Sequence, residues 1–185
     1  MKWSIEIIPR NAEGEELYLR SLKPFRLASL QLEPKAFSST FERESAFGDS
    51  EWLARLHNPA VTAFIARRDD TDAAESAQLK VLSSLILLRV VQGEGDVDNI
   101  ALWEVNAVFT LPDARRKGIA TELLKEAMCW ARKSAEAEGR LCVLAVRVYM
   151  ANTTAAALYR AVGFVDVDMV DGEETLRLEW KGGLG

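Results

Sequence analysis

The feature that most constrains this chain is a strand, a basic turn, a long amphipathic helix and a second strand in direct succession. The first strand pattern spans Ala101–Phe109, and the helix pattern runs from Ile119 to about Ala137. Leu141–Val148 is almost continuously apolar, as expected for a strand that is covered on both faces. A crossover helix between two strands predicts that the strands are parallel and joined by a right-handed connection.

Shorter patterns on both sides of this segment predict the rest of the fold. Strands are predicted over Trp3–Ile8, Val61–Arg67, Leu79–Val91, Phe164–Val170 and Thr175–Trp180, the last two forming a hairpin through Asp171-Gly172. Helices are predicted over Leu17–Lys35 (interrupted near Pro24), from an N-cap at Ser50 to a stop at Pro59, and over Asn152–Val162. The expected fold class is α/β (an α+β mixed sheet), with a central mixed six- to seven-stranded sheet flanked by helices. We expect one domain over residues 1–180 and a flexible tail over 181–185.

Composition and charge exclude several classes of protein. The net charge of −5 argues against nucleic acid as a partner, and no apolar run is long enough to span a membrane. The two cysteines do not form a disulfide framework, and no signal peptide pattern is present, so we expect a cytoplasmic or nuclear protein. No cluster of metal-ligating residues stands out, and we expect no metal.

The turn between the first strand and the long helix has the chemistry of an anion site. Arg115, Arg116 and Lys117 are followed by Gly118 at the start of the helix. A helix N-terminus offers free N–H groups and a positive dipole end, and glycine lets a phosphate oxygen come close to the backbone. The pattern predicts a pyrophosphate-binding turn. The alternative is an ordinary basic turn with solvated arginines.

Two motifs in order resemble the GNAT superfamily of acyl-CoA-dependent N-acetyltransferases. Arg115-x-x-Gly118-x-Ala120 matches its Gln/Arg-x-x-Gly-x-Gly/Ala pattern, and Asn152-x-x-Ala155-x-x-Leu158-Tyr159-x-x-x-Gly163-Phe164 resembles its next block. Together they cover roughly residues 101–164. The resemblance implies an enzyme that uses acetyl-CoA as co-substrate.

The resemblance also implies where acetyl-CoA binds. In this family a bulge separates the strand before the turn from the next parallel strand, and backbone groups at the bulge pair with the pantetheine amides. The corresponding residues here are Ala107, Val108 and Phe109, with the N–H near Val108 polarising the thioester carbonyl. The pyrophosphate would be bound by Arg115, Arg116, Lys117, Gly118, Ile119, Ala120 and Thr121. Asn152 would lie beside the CoA arm, although it is also a good N-cap.

Glu104 is the candidate general base. It lies eleven residues before Arg115, similar to the catalytic glutamate of histone acetyltransferases in this superfamily. An amine acceptor is mostly protonated at pH 7, and only its neutral form attacks a thioester. The alternatives are a glutamate that pairs with a nearby arginine or one that only orients the acceptor.

Tyr159 is the candidate general acid. It matches the tyrosine that many family members use to protonate the departing thiolate. The alternative is a core tyrosine, because Tyr159 shares an apolar helix face with Ala155, Leu158 and Val162.

The expected function is N-acetylation of a primary amine, on a small molecule or a protein, by direct attack in a ternary complex. The alternatives are a non-catalytic acyl-CoA-binding regulatory module and a protein N-terminal or lysine acetyltransferase. The resemblance places the acceptor site on about Phe25–Trp52 and Val167–Thr175, where aromatic and acidic residues would suit a cationic amine; these are Phe37, Phe41, Glu42, Glu44, Phe47, Asp49 and Glu51. The alternative is an ordinary solvated surface, which such a run of residues usually forms. It also allows a homodimer, since relatives pair or exchange terminal strands.

Overall fold

A computed structural model describes residues 2–69, 81–90, 99–167 and 174–182. The strands within these ranges are β1 (Trp3–Ile7), β2 (Val61–Arg68), β3 (Val81–Arg89), β4 (Ile100–Thr110), β5 (Leu141–Tyr149), β6 (Val165–Asp166) and β7 (Thr175–Gly182). They form one sheet in the order β1-β2-β3-β4-β5-β7-β6. The predicted mixed sheet flanked by helices is confirmed.

The helices are α1 (Ala12–Leu17), α2 (Lys23–Leu32), α3 (Phe41–Ser45), α4 (Asp49–His57), α5 (Ile119–Ala137) and α6 (Thr153–Ala161). A π-helical turn, Tyr18–Leu22, joins α1 to α2 and is the predicted interruption before Pro24. Short 3₁₀ turns cover Pro34–Ala36 and Pro112–Ala114. None of the helices in the described ranges is long and apolar enough to cross a bilayer.

Two helix starts differ from the prediction. The first helix begins at Ala12, because the Asn11 side chain accepts a hydrogen bond from the N–H of Gly14 (3.0 Å) and caps it. Helix α4 is capped at Gly48, whose N–H donates to the carboxylate of Glu51 (2.8 Å). The predicted N-cap at Ser50 is therefore wrong.

The central strand–helix–strand segment is confirmed. β4 and β5 are parallel, in a register that runs from Ile100↔Leu141 to Glu104↔Ala145. Helix α5 has the predicted bounds, and it buries residues three or four apart on one face, as an amphipathic helix does. These are Ile119, Leu123, Leu124, Ala127, Met128, Ala131 and Ala135.

The C-terminal hairpin is also confirmed, because β6 and β7 pair antiparallel. Its predicted Asp171-Gly172 turn lies outside the described residues. β7 continues to Gly182, which pairs with Cys142. Lys181 and Gly182, which were expected in a flexible tail, are therefore strand residues.

The chain divides into two compact units, each with its own core. Unit 1 contains Met1–Ile86 and Ala107–Leu123. Its core combines residues of the N-terminal helical segments and β2 with Ile8, Val81 of β3 and Phe109 of β4. The buried members are Ile8, Tyr18, Leu22, Phe25, Trp52, Leu56, Ala63, Ile65, Val81 and Phe109.

Unit 2 contains Leu87–Asn106 and Leu124–Gly185. β5 and β7 form its longest ladder, from Cys142↔Gly182 to Tyr149↔Thr175. Trp103 of β4 packs edge-to-face on Trp130 of α5, with ring centroids 6.3 Å apart. Successive side chains of a strand point to opposite faces, so the residues directly before and after Trp103 in β4 point to the other face of the sheet.

Candidate functional site

In unit 1, the backbone of β4 is irregular where the resemblance implies a bulge. Ala107 has φ 52°, a left-handed conformation in the middle of a strand. For a residue with a Cβ this conformation costs about 1–2 kcal/mol, and such costs are typical of functional sites. The irregularity precedes Val108 and Phe109, the other residues predicted to pair with pantetheine.

Two buried serines of β3 bind the carbonyl groups of this irregular segment. Ser83 donates to the carbonyl of Phe109 (2.9 Å) and its hydroxyl is also 2.9 Å from that of Thr110. Ser84 donates a longer bond to the carbonyl of Ala107 (3.4 Å). These bonds satisfy polar groups that an irregular strand leaves without regular ladder partners. Neither serine was predicted as a site residue, because two hydroxyls in an apolar strand carry no distinctive pattern.

The basic turn, Arg115–Thr121, presents an open backbone surface. Arg116 has φ 60° and Gly118 has φ 81°. A Cβ built on Gly118 would meet no atom within 4 Å, so an anion has room to approach this residue. The N–H of Glu122 bonds to the carbonyl of Gly118 (3.0 Å), which leaves the earlier N–H groups of α5 without helical partners. The turn therefore fits the predicted pyrophosphate.

The three basic side chains of the turn have different surroundings. Arg115 donates through Nε to the carbonyl of Thr110 (3.0 Å) and through Nη2 to Glu33 (3.0 Å). Lys117 donates to the carbonyl of Asp113 (2.7 Å). Arg116 is exposed and has no hydrogen bond or ion pair within the described ranges. It is thus the guanidinium of the turn that an anion can engage without displacing another contact.

In unit 2, Glu104 lies where the paired part of β4 and β5 ends. The ladder stops at Glu104↔Ala145, although β5 continues to Tyr149. A pocket of about 80 Å³ opens there, lined by Glu104, Val105, Asn106, Ala145, Val146, Arg147 and Arg177. The half-buried carboxylate of Glu104 has no ion pair or hydrogen bond to any described residue. This disfavours the alternative that Glu104 pairs with a nearby arginine.

Two arginines that were not predicted as site residues also line the pocket. Arg147 and Arg177 are directly opposite each other in the β5–β7 ladder. Arg177 donates through Nε (3.1 Å) and Nη2 (2.9 Å) to Glu179. The one available signal was Arg147, a charged residue within the otherwise apolar Leu141–Val148 pattern.

Tyr159 and Asn152 have mainly local contacts in unit 2. Tyr159 is 4% exposed and packs edge-to-face on Phe164, with centroids 5.5 Å apart. Burial raises its pKa above the ordinary tyrosine value, and its hydroxyl has no hydrogen bond to a described residue. Tyr159 is not among the residues that line the Glu104 pocket. Asn152 caps α6 by accepting from the N–H of Ala155 (3.1 Å), which is its predicted structural role.

The predicted acceptor segment over Phe25–Trp52 serves packing in unit 1. Glu44 is buried and accepts hydrogen bonds from Arg26 (2.9 and 3.2 Å) and Arg55 (3.0 Å). Trp52 is 1% exposed, and Phe37 and Phe47 pack against the core. Asp49 pairs with Lys23 and Glu51 caps α4. Glu44, Asp49 and Glu51 thus have structural contacts within unit 1.

No group of three or more potential metal ligands occurs in the ranges that the structure describes.

Comparison with known proteins identifies the family. The family model described as an acetyltransferase (GNAT) domain matches residues 62–166, more than half of the chain. Comparison with curated proteins finds no match.

Solved structures of low sequence identity have the same fold. A GNAT-family acetyltransferase from Streptococcus pneumoniae is similar with a TM-score of 0.66 and 16% identity, covering 98% of this chain and 100% of that one. Arabidopsis thaliana NAA60 in complex with acetyl-CoA has a TM-score of 0.60 and 12% identity, covering 97% and 98%. The ribosomal-protein-S18-alanine N-acetyltransferase from Escherichia coli has a TM-score of 0.58 and 14% identity, covering 100% and 96%.

The family match agrees with the two motifs and with the mixed sheet. This chain belongs to the GNAT family and is an acetyl-CoA-dependent N-acyltransferase.

Proposed function

We propose that this enzyme transfers an acetyl group from acetyl-CoA to a primary amine by direct attack, with Glu104 as the general base. The observation that carries the proposal is the carboxylate of Glu104, which has no partner among the described residues and lines a pocket at the end of the β4–β5 ladder. A carboxylate without a protein partner can accept a hydrogen bond and then a proton from the ammonium group of an acceptor.

The residues of unit 1 would hold the co-substrate. The free N–H groups at the start of α5 and the Arg116 side chain would bind the pyrophosphate, supported by the open surface at Gly118. Backbone groups of Ala107–Phe109 would bind the pantetheine arm, and the N–H near Val108 would donate to the thioester carbonyl. When bound, acetyl-CoA supplies the activated acetyl group.

Two side chains of unit 2 would carry out the proton transfers of the reaction. Glu104 accepts a proton from the acceptor ammonium, directly or through water, and the nitrogen then forms a bond to the acetyl carbon. The carbon–sulfur bond breaks, and Tyr159 donates its proton to the leaving sulfur. The nitrogen, now bound to the acetyl group, loses its excess proton to solvent, Tyr159 regains a proton from solvent, and Glu104 releases the proton that it accepted. The raised pKa of Tyr159, caused by burial, keeps the phenol protonated and able to donate at neutral pH.

The environment of the cysteines supports direct attack over a covalent acyl-enzyme. Cys142 is 2% exposed, and burial raises its pKa to about 12. It is therefore a thiol at neutral pH, whereas a nucleophilic cysteine must be a thiolate. Cys129 is half-buried on α5 and belongs to neither the pocket nor the basic turn.

The test is the rate of CoA thiol release with a panel of primary amines, for wild type and Glu104→Gln. Because glutamine cannot accept the ammonium proton, we expect kcat at pH 7 to fall by about 10²–10⁴-fold. The deficit should shrink toward pH 10, where the free amine forms without a base. Glu126→Gln, an exposed site on α5, is the matched control. Equal kcat for Glu104→Gln and wild type at pH 7 would remove Glu104 from the base role.

A further inference from the structure

Two arginine side chains line the pocket beside Glu104. Arg147 and Arg177 are directly opposite each other on neighbouring antiparallel strands, and both line the pocket. Like charges at directly opposite positions destabilise a sheet. Glu179 offsets one of these charges through its ion pair with Arg177, and a bound carboxylate would place a further negative charge beside the two guanidinium groups.

Glu179 holds Arg177 in an orientation that suits a carboxylate ligand. A single oxygen of Glu179 accepts from both Nε and Nη2 of Arg177, so one edge of the guanidinium is occupied. Nη1 and the second N–H of Nη2 form the other edge, and no described residue accepts from Nη1. Two parallel N–H donors of this kind match the two oxygens of a carboxylate.

The acidic and basic side chains of the pocket region lie at different positions along the strands. Glu104 is paired with Ala145, and Ala145 is paired with Glu179, so these residues form one row across three strands. Arg147 and Arg177 form the next row on the same face, about 7 Å away along the strands. The negative charge of Glu104 and the positive charges of the arginines thus lie one row apart.

We propose that the amine acceptor carries a carboxylate, which the Arg177 side chain binds with Arg147 opposite while Glu104 faces the ammonium group. This inference rests on the proposed function and names its substrate class. The chemistry is that of an amino carboxylate, either a free amino acid or the N-terminus of a protein that begins with an acidic residue. It differs from the acceptor that the sequence suggested, and Glu44 and Asp49 of that predicted site have basic partners within unit 1.

The test is direct binding of matched probes to the full chain, measured by calorimetry. One series contains free amino acids, including glycine, L-alanine, L-serine, L-glutamate and β-alanine, and the other contains their carboxamides. A third arm uses short peptide amides that begin with Asp or Glu. We expect at least one carboxylate-bearing probe to bind about 10–100-fold more tightly than its uncharged analogue. If the tight-binding probe is a free amino acid, the acceptor is a free amino acid; if it is an acidic peptide amide, the acceptor is a protein N-terminus.

The variants assign the preference to the arginine pair. Arg177→Gln should reduce the ratio of the two affinities to about one, and Arg177→Lys should leave an intermediate ratio because lysine keeps the charge without the fork. Arg140→Gln, an exposed arginine in the same unit, should keep the wild-type ratio. Thermal unfolding of each variant checks that it is folded.

Two results would overturn the inference: carboxamides that bind as tightly as the acids, or no binding by any series. Acetyl transfer measured on the same probes separates this inference from the proposed function. Equal transfer to acids and amides would keep the transferase proposal and reject the carboxylate preference. Selective binding of the acids without acetyl transfer would keep the carboxylate preference and reject the transferase proposal.

Discussion

The guanidinium of Arg115 forms an ion pair with the carboxylate of Glu33, with Nη2 and Oε1 3.0 Å apart. Arg115 is the first residue of the GNAT motif, and Glu33 follows the last residue of α2. The same guanidinium also lies 5.5 Å from the ring of Phe109. A motif residue that was expected to face a phosphate therefore has an acidic partner within unit 1.

This pair predicts that Glu33 weakens acetyl-CoA binding. Glu33→Gln removes a competing charge from beside the basic turn, and exposed ion pairs are worth about 0.2–1 kcal/mol. We therefore expect the acetyl-CoA Kd to fall by up to about fivefold in a calorimetric titration. Glu16→Gln breaks a comparable exposed pair with Arg20 and serves as the control. An unchanged or higher Kd for Glu33→Gln would show that Arg115 does not contribute through its charge.

The left-handed backbone of Ala107 predicts a strong dependence on the side chain at this position. Valine is β-branched and is rarely found at positive φ, so Ala107→Val should force β4 toward a regular strand. We expect a loss of about 2 kcal/mol in the free energy of unfolding and an acetyl-CoA Kd raised at least tenfold. Ala107→Gly tolerates this φ and should keep the wild-type Kd. Wild-type binding by the valine variant would mean that the irregularity has no role in holding the co-substrate.

Tyr159→Phe should lower kcat tenfold or more while the acetyl-CoA Kd stays within twofold, because phenylalanine packs similarly but cannot donate a proton. Stopped assays at saturating substrate measure kcat, with Tyr149→Phe as the control. An unchanged kcat would exclude Tyr159 as the acid.

Burial raises the pKa of Tyr159, so the phenol stays neutral in the folded protein at pH values where it ionises in the unfolded chain. The contribution of this neutral phenol to the free energy of unfolding is complete below about pH 10 and is lost as pH rises above that value.

The buried carboxylate of Glu44 should contribute stability that depends on pH. Burial alone would raise the pKa of Glu44, but hydrogen bonding and the charge of Arg26, with help from Ser39 and Arg55, lower it below the ordinary value. Removing this charge leaves two arginines without their partner, so Glu44→Gln should cost about 3 kcal/mol at pH 7. The lowered pKa means that the contribution is present above about pH 4.3 and is lost as pH falls further.

Urea unfolding at pH 7 and pH 3 checks this prediction. The difference between wild type and Glu44→Gln should shrink at the lower pH. Glu42→Gln, an exposed neighbour on α3, should show little difference at either pH. A wild type that loses no more stability than Glu44→Gln on acidification would contradict the assignment.

Local patterns predicted the elements that form from neighbouring residues. Helix α5 has the predicted bounds because its apolar residues recur at helical spacing, and the parallel pairing of β4 with β5 follows from the crossover between them. Short α3 was missed, because five residues are too few to show a helical period.

The candidate site is formed largely by contacts between residues that are distant in sequence. Several of its residues could therefore not be predicted from the sequence. Arg177 and Glu179 belong to the pocket region only because β7 pairs with β5 in a particular register. Glu33 lies 82 residues from Arg115 in sequence, and Ser83 lies 26 from Phe109. No local spacing indicates such pairs. The burial of Glu44 was not predicted because its two arginine partners come from different helices.

The central claim is that the basic turn binds acetyl-CoA, and a calorimetric titration tests it most directly. Wild type is compared with the double variant Arg116→Glu/Gly118→Asp, and with Lys133→Glu on an exposed part of α5 as the control. We predict micromolar binding by wild type and the control, and no measurable binding by the double variant, because two new carboxylates repel the pyrophosphate. No binding by wild type, or equal binding by the double variant, would contradict the claim.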